Sequence, residues 1–191
     1  METRFHVKIP KERIGVLIGP GGSVRRRIEE TLGVKLRVDS RSGDVEIALK
    51  DGKGDVSKLY QALNVVRAVG RGFSPERAFR LFDEDTLLDV IDLREYVGKS
   101  ENALRRVKGR IIGRDGKTRR LIEELTGVYV SVYGHTVSLI GGFDQLLVAR
   151  EAVTKLIKGS QHKTVYNFLF RAVRDLKRRR KTEIWEGMRL L

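Results

Sequence analysis

A seventeen-residue block occurs twice in this chain. Ile18 to Val34, IGPGGSVRRRIEETLGV, returns as Ile112 to Val128, IGRDGKTRRLIEELTGV, at a constant offset of 94 residues and with ten positions identical. A block that recurs with its spacing intact is one supersecondary unit built twice, so any fold for this chain must hold two copies of it. The flanks repeat as well. Each block runs into two alternating strands, Val34, Leu36, Val38 then Val45, Ile47, Leu49 in the first copy, and Val128, Val130, Val132 then Val137, Leu139 in the second. A helical stripe follows each pair of strands: Val56, Leu59, Leu63, Val66, Val69, and later Leu146, Leu147, Ala149, Val153, Leu156. A further strand precedes each block, with Phe5, Val7, Ile9 and with Leu87, Leu88, Val90, Ile91, Leu93. The spacing predicts an α+β chain of strand, helix, glycine loop, helix, strand, strand, helix, present twice.

A length of 191 residues suits two such domains. The expected boundaries are 1–72 and 86–160, with a linker helix at 73–85 and a C-terminal amphipathic helix and basic tail at 161–191. Ser74 is placed to cap the linker helix and Pro75 to open it. The connector is also the acidic stretch of the chain, its run of Asp83, Glu84 and Asp85 reading as the soluble end of that helix rather than a metal site. The terminal helix carries Val165, Phe168, Leu169, Ala172, Val173 and Leu176 on one face, then the basic run Lys177 to Lys181, with Trp185 expected as a docking anchor. That stripe suits docking on the second domain better than lying on a membrane.

Lys and Arg outnumber Asp and Glu by 39 to 25, giving a net charge of +14 and a balance that favours a polyanionic partner. The absence of cysteine excludes disulfides, thiolate metal sites and thiol nucleophiles together, and His6, His135 and His162 are too scattered for a metal cluster. No cofactor is expected. No Ser–His–Asp arrangement presents itself, and the carboxylates fall on solvent faces, so binding is expected rather than catalysis. The start, METRFHVKIP, has no apolar leader core, and no stretch approaches a membrane span, which leads to a cytoplasmic expectation.

Each block holds Gly-x-x-Gly between its helices: Gly19, Pro20, Gly21, Gly22, and Gly113, Arg114, Asp115, Gly116. Glycines let two helices meet through a turn whose N–H groups no side chain shields, and those groups, with the next helix N-terminus, form a phosphate site. Cations follow within two turns, Arg25, Arg26 and Arg27 in the first copy and Lys117, Arg119 and Arg120 in the second. The loops differ in charge. Pro20 and Gly21 bring none, Arg114 brings a cation, and Asp115 brings an acid that costs phosphate affinity unless its carboxylate caps the next helix.

This pattern resembles the type I KH domain, whose GXXG loop clamps about four nucleotides of single-stranded nucleic acid while the bases rest in an apolar groove. The resemblance covers both repeats and implies two βααββα domains. It implies contacts to RNA from the four residues of each loop, from Arg25 and Arg26, and from Lys117, Arg119 and Arg120. By position, Val16, Leu17, Ile18, Leu36 and Val38 fall near the first groove floor and Ile111, Ile112, Val130 and Val132 near the second, the strand residues being equally placed to pack the core. Tyr129 and Tyr133 take the opposite strand face, where stacking on bases and covering the sheet are both open.

Two such domains in a small basic chain, joined by an acidic helix and ended by a basic one, resemble archaeal members of the ribosome-assembly family known in eukaryotes as the partner of Nob one, or dimethyladenosine-transferase-interacting protein. Ile112 to Arg119 carries that resemblance best. It implies a monomer that binds single-stranded RNA near the 3′ end of small-subunit ribosomal RNA. The implied partners are the endonuclease that trims that end, the rRNA dimethyltransferase, and the alpha subunit of initiation factor two. An intact first loop departs from the eukaryotic members, in which it is degenerate, and implies that both units bind. A KH pair acting in transcription elongation or at another pre-rRNA step remains the alternative.

Overall fold

The computed structural model describes residues 3–50 and 55–189, with side chains as far as residue 182. In the N-terminal unit β1 (Arg4–Lys8) leads to α1 (Lys11–Ile18) and α2 (Ser23–Leu32), then β2 (Val34–Val38), β3 (Asp44–Leu49) and α3 (Val56–Gly70). The connector holds α4 (Pro75–Ala78) and a 3-10 turn, Phe79–Phe82. The C-terminal unit repeats the order with β4 (Thr86–Asp92), α6 (Glu101–Ile112), α7 (Lys117–Thr126), β5 (Tyr129–Tyr133), β6 (Thr136–Gly142) and α8 (Phe143–Ile157). It adds a short α5 (Arg94–Val97) after β4 and a long α9 (His162–Arg189) at the end. The chain divides into compact units at Met1–Leu88 and Asp89–Leu191. Both sheets are antiparallel with the last strand in the middle, β1-β3-β2 and β4-β6-β5. These are two βααββα units, as the repeat predicts.

The alternation seen in the sequence becomes burial on one sheet face. In β2, Val34 and Leu36 are inaccessible while Lys35 and Arg37 are exposed, and Leu36 stands opposite Ile47 of β3. The C-terminal core joins Val130, Val137 and Leu139 of the sheet, and Val128 just ahead of β5, to Ile111, Ile122 and Val153 of the helices. At the 94-residue offset, Leu17, Ile28, Val34 and Leu36 are buried like Ile111, Ile122, Val128 and Val130, so the two cores share their plan. Each such aliphatic side chain contributes roughly 1.5–3 kcal/mol by leaving water. Two members of the predicted stripes stay outside. Val56 opens α3 ahead of its packed turns and is 43% exposed, and Leu147 sits a third of a turn from Leu146 and is 51% exposed.

The connector folds back onto α3. Phe73, Ala78 and Leu81 are buried, Gln61 of α3 donates to the Phe82 carbonyl at 3.1 Å, and Lys58 pairs with Glu84 at 2.9 Å. Ser74 accepts the Arg77 N–H and Pro75 follows it, as expected for a helix start. Arg13 ties the end of α3 to α1 by donating to the carbonyls of Val69 and Phe73. Leu169 and Val165 of α9 complete the C-terminal core, and Arg180, within the basic run, reaches Asp144 at the start of α8. Trp185 lies outside the residues whose side chains are described.

Candidate nucleic-acid interface

The two glycine loops have the same backbone. Gly19 and Gly113 adopt φ 72°, ψ 171° and φ 73°, ψ 172°. The third positions, Gly21 and Asp115, lie at φ 55°, ψ 22° and φ 50°, ψ 29°, and Gly22 and Gly116 at φ 78° and 74°. The first glycine is obligatory on two grounds: its dihedrals are essentially closed to other residues, and a Cβ at Gly113 would stand 2.8 Å from the Thr118 backbone nitrogen. The third position is open, with nothing within 4 Å of a Cβ at Gly21, which is why aspartate can stand there in the other copy.

Asp115 does not cap α7. The N-cap is Gly116, and no side chain bonds there. Its left-handed backbone places the aspartate at the tip of the turn instead, where it is exposed. The row of open N–H groups expected from the glycines is also partly spent. Gly22 donates to the Gly19 carbonyl and Ser23 to that of Pro20, and Gly116 and Lys117 repeat both bonds. Side-chain cations therefore carry more of any attraction for phosphate than the sequence pattern alone implies.

Those cations are not equivalent. Arg26 and Arg120 curl back over the loops, each with a guanidinium nitrogen about 3.5 Å from the point a Cβ on Gly22 or Gly116 would occupy. Arg25 pairs with Glu29 at 3.2 Å, and Arg27 lies over the Phe79 ring, which turns it toward the connector. Lys117 and Arg114 are exposed beside the second loop, while Arg119 is half-buried with no hydrogen-bond partner for its Nε.

Burial sorts the candidate groove residues. Leu17, Leu36, Ile111 and Val130 belong to the cores, whereas Ile18, Val38, Val132 and Ile112 keep accessible surface, the last at 36%. One further feature repeats between helix and strand: Glu29 of α2 accepts the Leu36 N–H at 2.8 Å, and Glu123 of α7 accepts the Val130 N–H at 2.8 Å. The carboxylate thereby sets the distance between the helix that follows the loop and the strand beside the groove. Tyr129 and Tyr133 are half-buried, with Ser131 between them and Ser138 opposite buried, so this face is covered sheet rather than an open stacking platform. Beyond the loops, Leu125, Phe170 and Val173 line an apolar groove along α9 rimmed by Arg174, Lys177 and Lys181.

On the strand that begins the C-terminal unit, Arg94 donates to the Asp92 carboxylate from its backbone N–H, Nε and Nη2, its side chain above all holding the Asp92 pKa down to about 2, and Arg150 of α8 grips Asp89. Among the described residues no cluster of His, Asp or Glu is placed to hold a metal, and no helix is long and apolar enough to cross a membrane. Four residues beside the second loop were not assigned to it by pattern: Arg106, Arg110, His162 and Tyr166. Comparing the copies position by position is the signal that finds the two arginines, because Arg106 aligns with Glu12 and Arg110 with Val16.

Paired glycine loops on paired βααββα units define a tandem type I KH protein. Residues 4–67 match the KH domain model, and residues 87–174 match the eukaryotic-type KH domain (type I) of the second PNO1 domain. The chain belongs to the PNO1/Dim2 family. It is 47% identical to a KH domain-containing protein of Methanocaldococcus jannaschii over 94% of this chain and 78% of that one. To the pre-rRNA-processing protein PNO1 of Candida albicans it is 29% identical over 94% of its own length, spanning 65% of that protein. The crystal structure of Dim2p from Pyrococcus horikoshii superposes with a TM-score of 0.83 at 46% identity, covering 88% of this chain and 99% of that one. A second match, in a complex of a/eIF2alpha, aDim2p and rRNA from the same organism, gives 0.85 at 45% identity over 91% and 96% of the two chains.

Proposed function

We propose that this protein is an RNA-binding ribosome-biogenesis factor that holds single-stranded (pre-)rRNA near the 3′ end of the small-subunit RNA through its two GXXG loops. The observation that carries the reading is the second loop, where Arg114, Lys117 and Arg120 stand around an exposed turn beside the accessible Ile112. A 45% identical relative crystallised with rRNA supports the polymer as ligand. That same complex supports the alpha subunit of initiation factor two as a partner, while the 3′-end endonuclease and the dimethyltransferase follow from family resemblance. The protein acts in the cytoplasm by binding, not by catalysis. Two clamps on one chain make the second contact intramolecular, so a strand that engages both gains avidity that each half lacks. The test is competition at near-physiological salt between a 3′-terminal oligonucleotide, its two halves, and a scrambled strand of equal composition. Preference for the intact native strand is expected. Equal competition by the scrambled strand reduces the function to general RNA binding driven by charge.

A further inference from the structure

The two sides of α6 lead to different places. Lys108 donates to the Gly134 carbonyl in the β5–β6 turn at 3.0 Å, and Ile112, one turn on, shares that face. Arg110 points the other way and donates to the carbonyls of Leu156 and Ser160, where α8 gives over to α9. On this second side the glycine loop borders a separate cleft of about 410 Å³. Arg106, Arg110, Arg114 and Lys117 line it, with His162 and Tyr166 of α9 as the far wall, and no acidic side chain is among the lining residues. The wall is fixed by two bonds. His162 Nε2–H donates to the Arg110 carbonyl at 2.9 Å, and the Tyr166 and Thr118 hydroxyls meet at 2.8 Å.

The other repeat supplies the comparison. At the four positions 94 residues earlier stand Glu12, Val16, Pro20 and Ser23, around a loop of the same backbone geometry. Four cations on one copy and none on the other, where ten of seventeen neighbouring positions are identical, set this cleft apart from the shared design.

We propose that the cleft between α6, the second loop and α9 is a second phosphate site, which takes phosphodiester groups of the strand flanking the segment seated at that loop. The inference rests on the RNA-binding reading above. Arg106 and Lys117, both exposed, meet the phosphate oxygens, Arg114 stands at the lip shared with the loop, and Arg110 adds charge from behind its two carbonyl bonds. Unit one has no counterpart, so the C-terminal unit covers a longer stretch of backbone than its twin.

Fluorescence anisotropy with the full chain tests this, using a tetranucleotide and an octanucleotide from the 3′-terminal rRNA segment, each with and without a terminal phosphate. Arg106→Glu is expected to weaken the octanucleotide about tenfold or more, to reduce the magnitude of its log–log salt slope by about 0.7, and to leave the tetranucleotide unchanged, with Arg106→Lys retaining most of the binding. Wild-type protein that binds neither strand removes the RNA reading itself and this site with it. If wild type binds both strands but Arg106→Glu changes neither, or weakens both alike, the cleft alone is overturned. A gain that follows the terminal phosphate and not the added nucleotides makes the cleft a phosphomonoester site and overturns the diester assignment.

Discussion

The Thr118 hydroxyl meets the Tyr166 hydroxyl at 2.8 Å, joining the first turn of α7 to α9 directly behind the second glycine loop. Thr118 is 1% exposed, so its oxygen has no solvent to turn to. In the N-terminal unit the same position is Val24. Tyr166→Phe is expected to destabilise the C-terminal unit by about 1–3 kcal/mol, the cost of a stranded buried hydroxyl, and adding Thr118→Val should recover most of it. Denaturant unfolding of the two single variants and the double variant completes the cycle. Additive losses would show that the pair is not coupled.

The loop backbone makes a contrast within one turn. Gly19→Ala and Gly113→Ala each place a Cβ against a backbone nitrogen at dihedrals reserved for glycine, and a loss of about 2–5 kcal/mol is expected. Gly21→Asp copies what Asp115 already does and should cost within about 1 kcal/mol. Thermal unfolding of the three variants checks the order.

For binding, Arg114→Asp sets a second carboxylate against the phosphate and should cost on the order of 1–3 kcal/mol in RNA affinity without unfolding an exposed turn. Pro20→Asp is the matching change in the first loop and is expected to weaken binding as well. Titrations at several salt concentrations, with a slope of about −0.7 per phosphate neutralised, read both effects. Unchanged affinity for the Pro20 variant confines the clamp to the C-terminal unit.

Asp92 predicts an acid signature. Hydrogen bonds from the Arg94 side chain lower its pKa from 3.8 to about 2. A carboxyl whose pKa is lower in the folded chain adds stability that is whole above about pH 4 and is lost as pH falls through the folded value. Asp92→Asn should therefore lower the melting temperature at neutral pH and narrow its deficit between about pH 4 and pH 2, where wild type alone gives up this contribution. A deficit that stays constant across that window would remove Asp92 from the acid response.

Much of this molecule is readable from the chain. The repeat fixes two units because the cores at Leu17 and Ile111, Ile28 and Ile122, and Leu36 and Val130 are the same apolar positions read twice. Alternation cannot tell a groove residue from a core residue, since Val130 and Val132 share one strand face and only depth separates them. Whether the Asp115 carboxylate caps α7 is left open by spacing, and the left-handed turn in which Asp115 stands, with no side-chain bond at the cap, is visible only in the folded loop. The roles of Arg25 and Arg27 depend on Glu29 and Phe79, which local spacing does not weigh against a ligand. His162 and Tyr166 join the second loop only through tertiary packing, about fifty residues downstream of it.

Glu29 and Glu123 have a consequence outside each domain. Leu36 and Val130 belong to the outermost strands of their sheets, and a carboxylate from the chain's own helix already takes the amide that each would otherwise present sideways. A passing strand from another copy finds no donor there and meets a fixed negative oxygen in its place. Outer strands are where sheets polymerise. On each of these two edges one amide is thus withdrawn from any incoming strand, which removes a pairing register that a second copy could otherwise use.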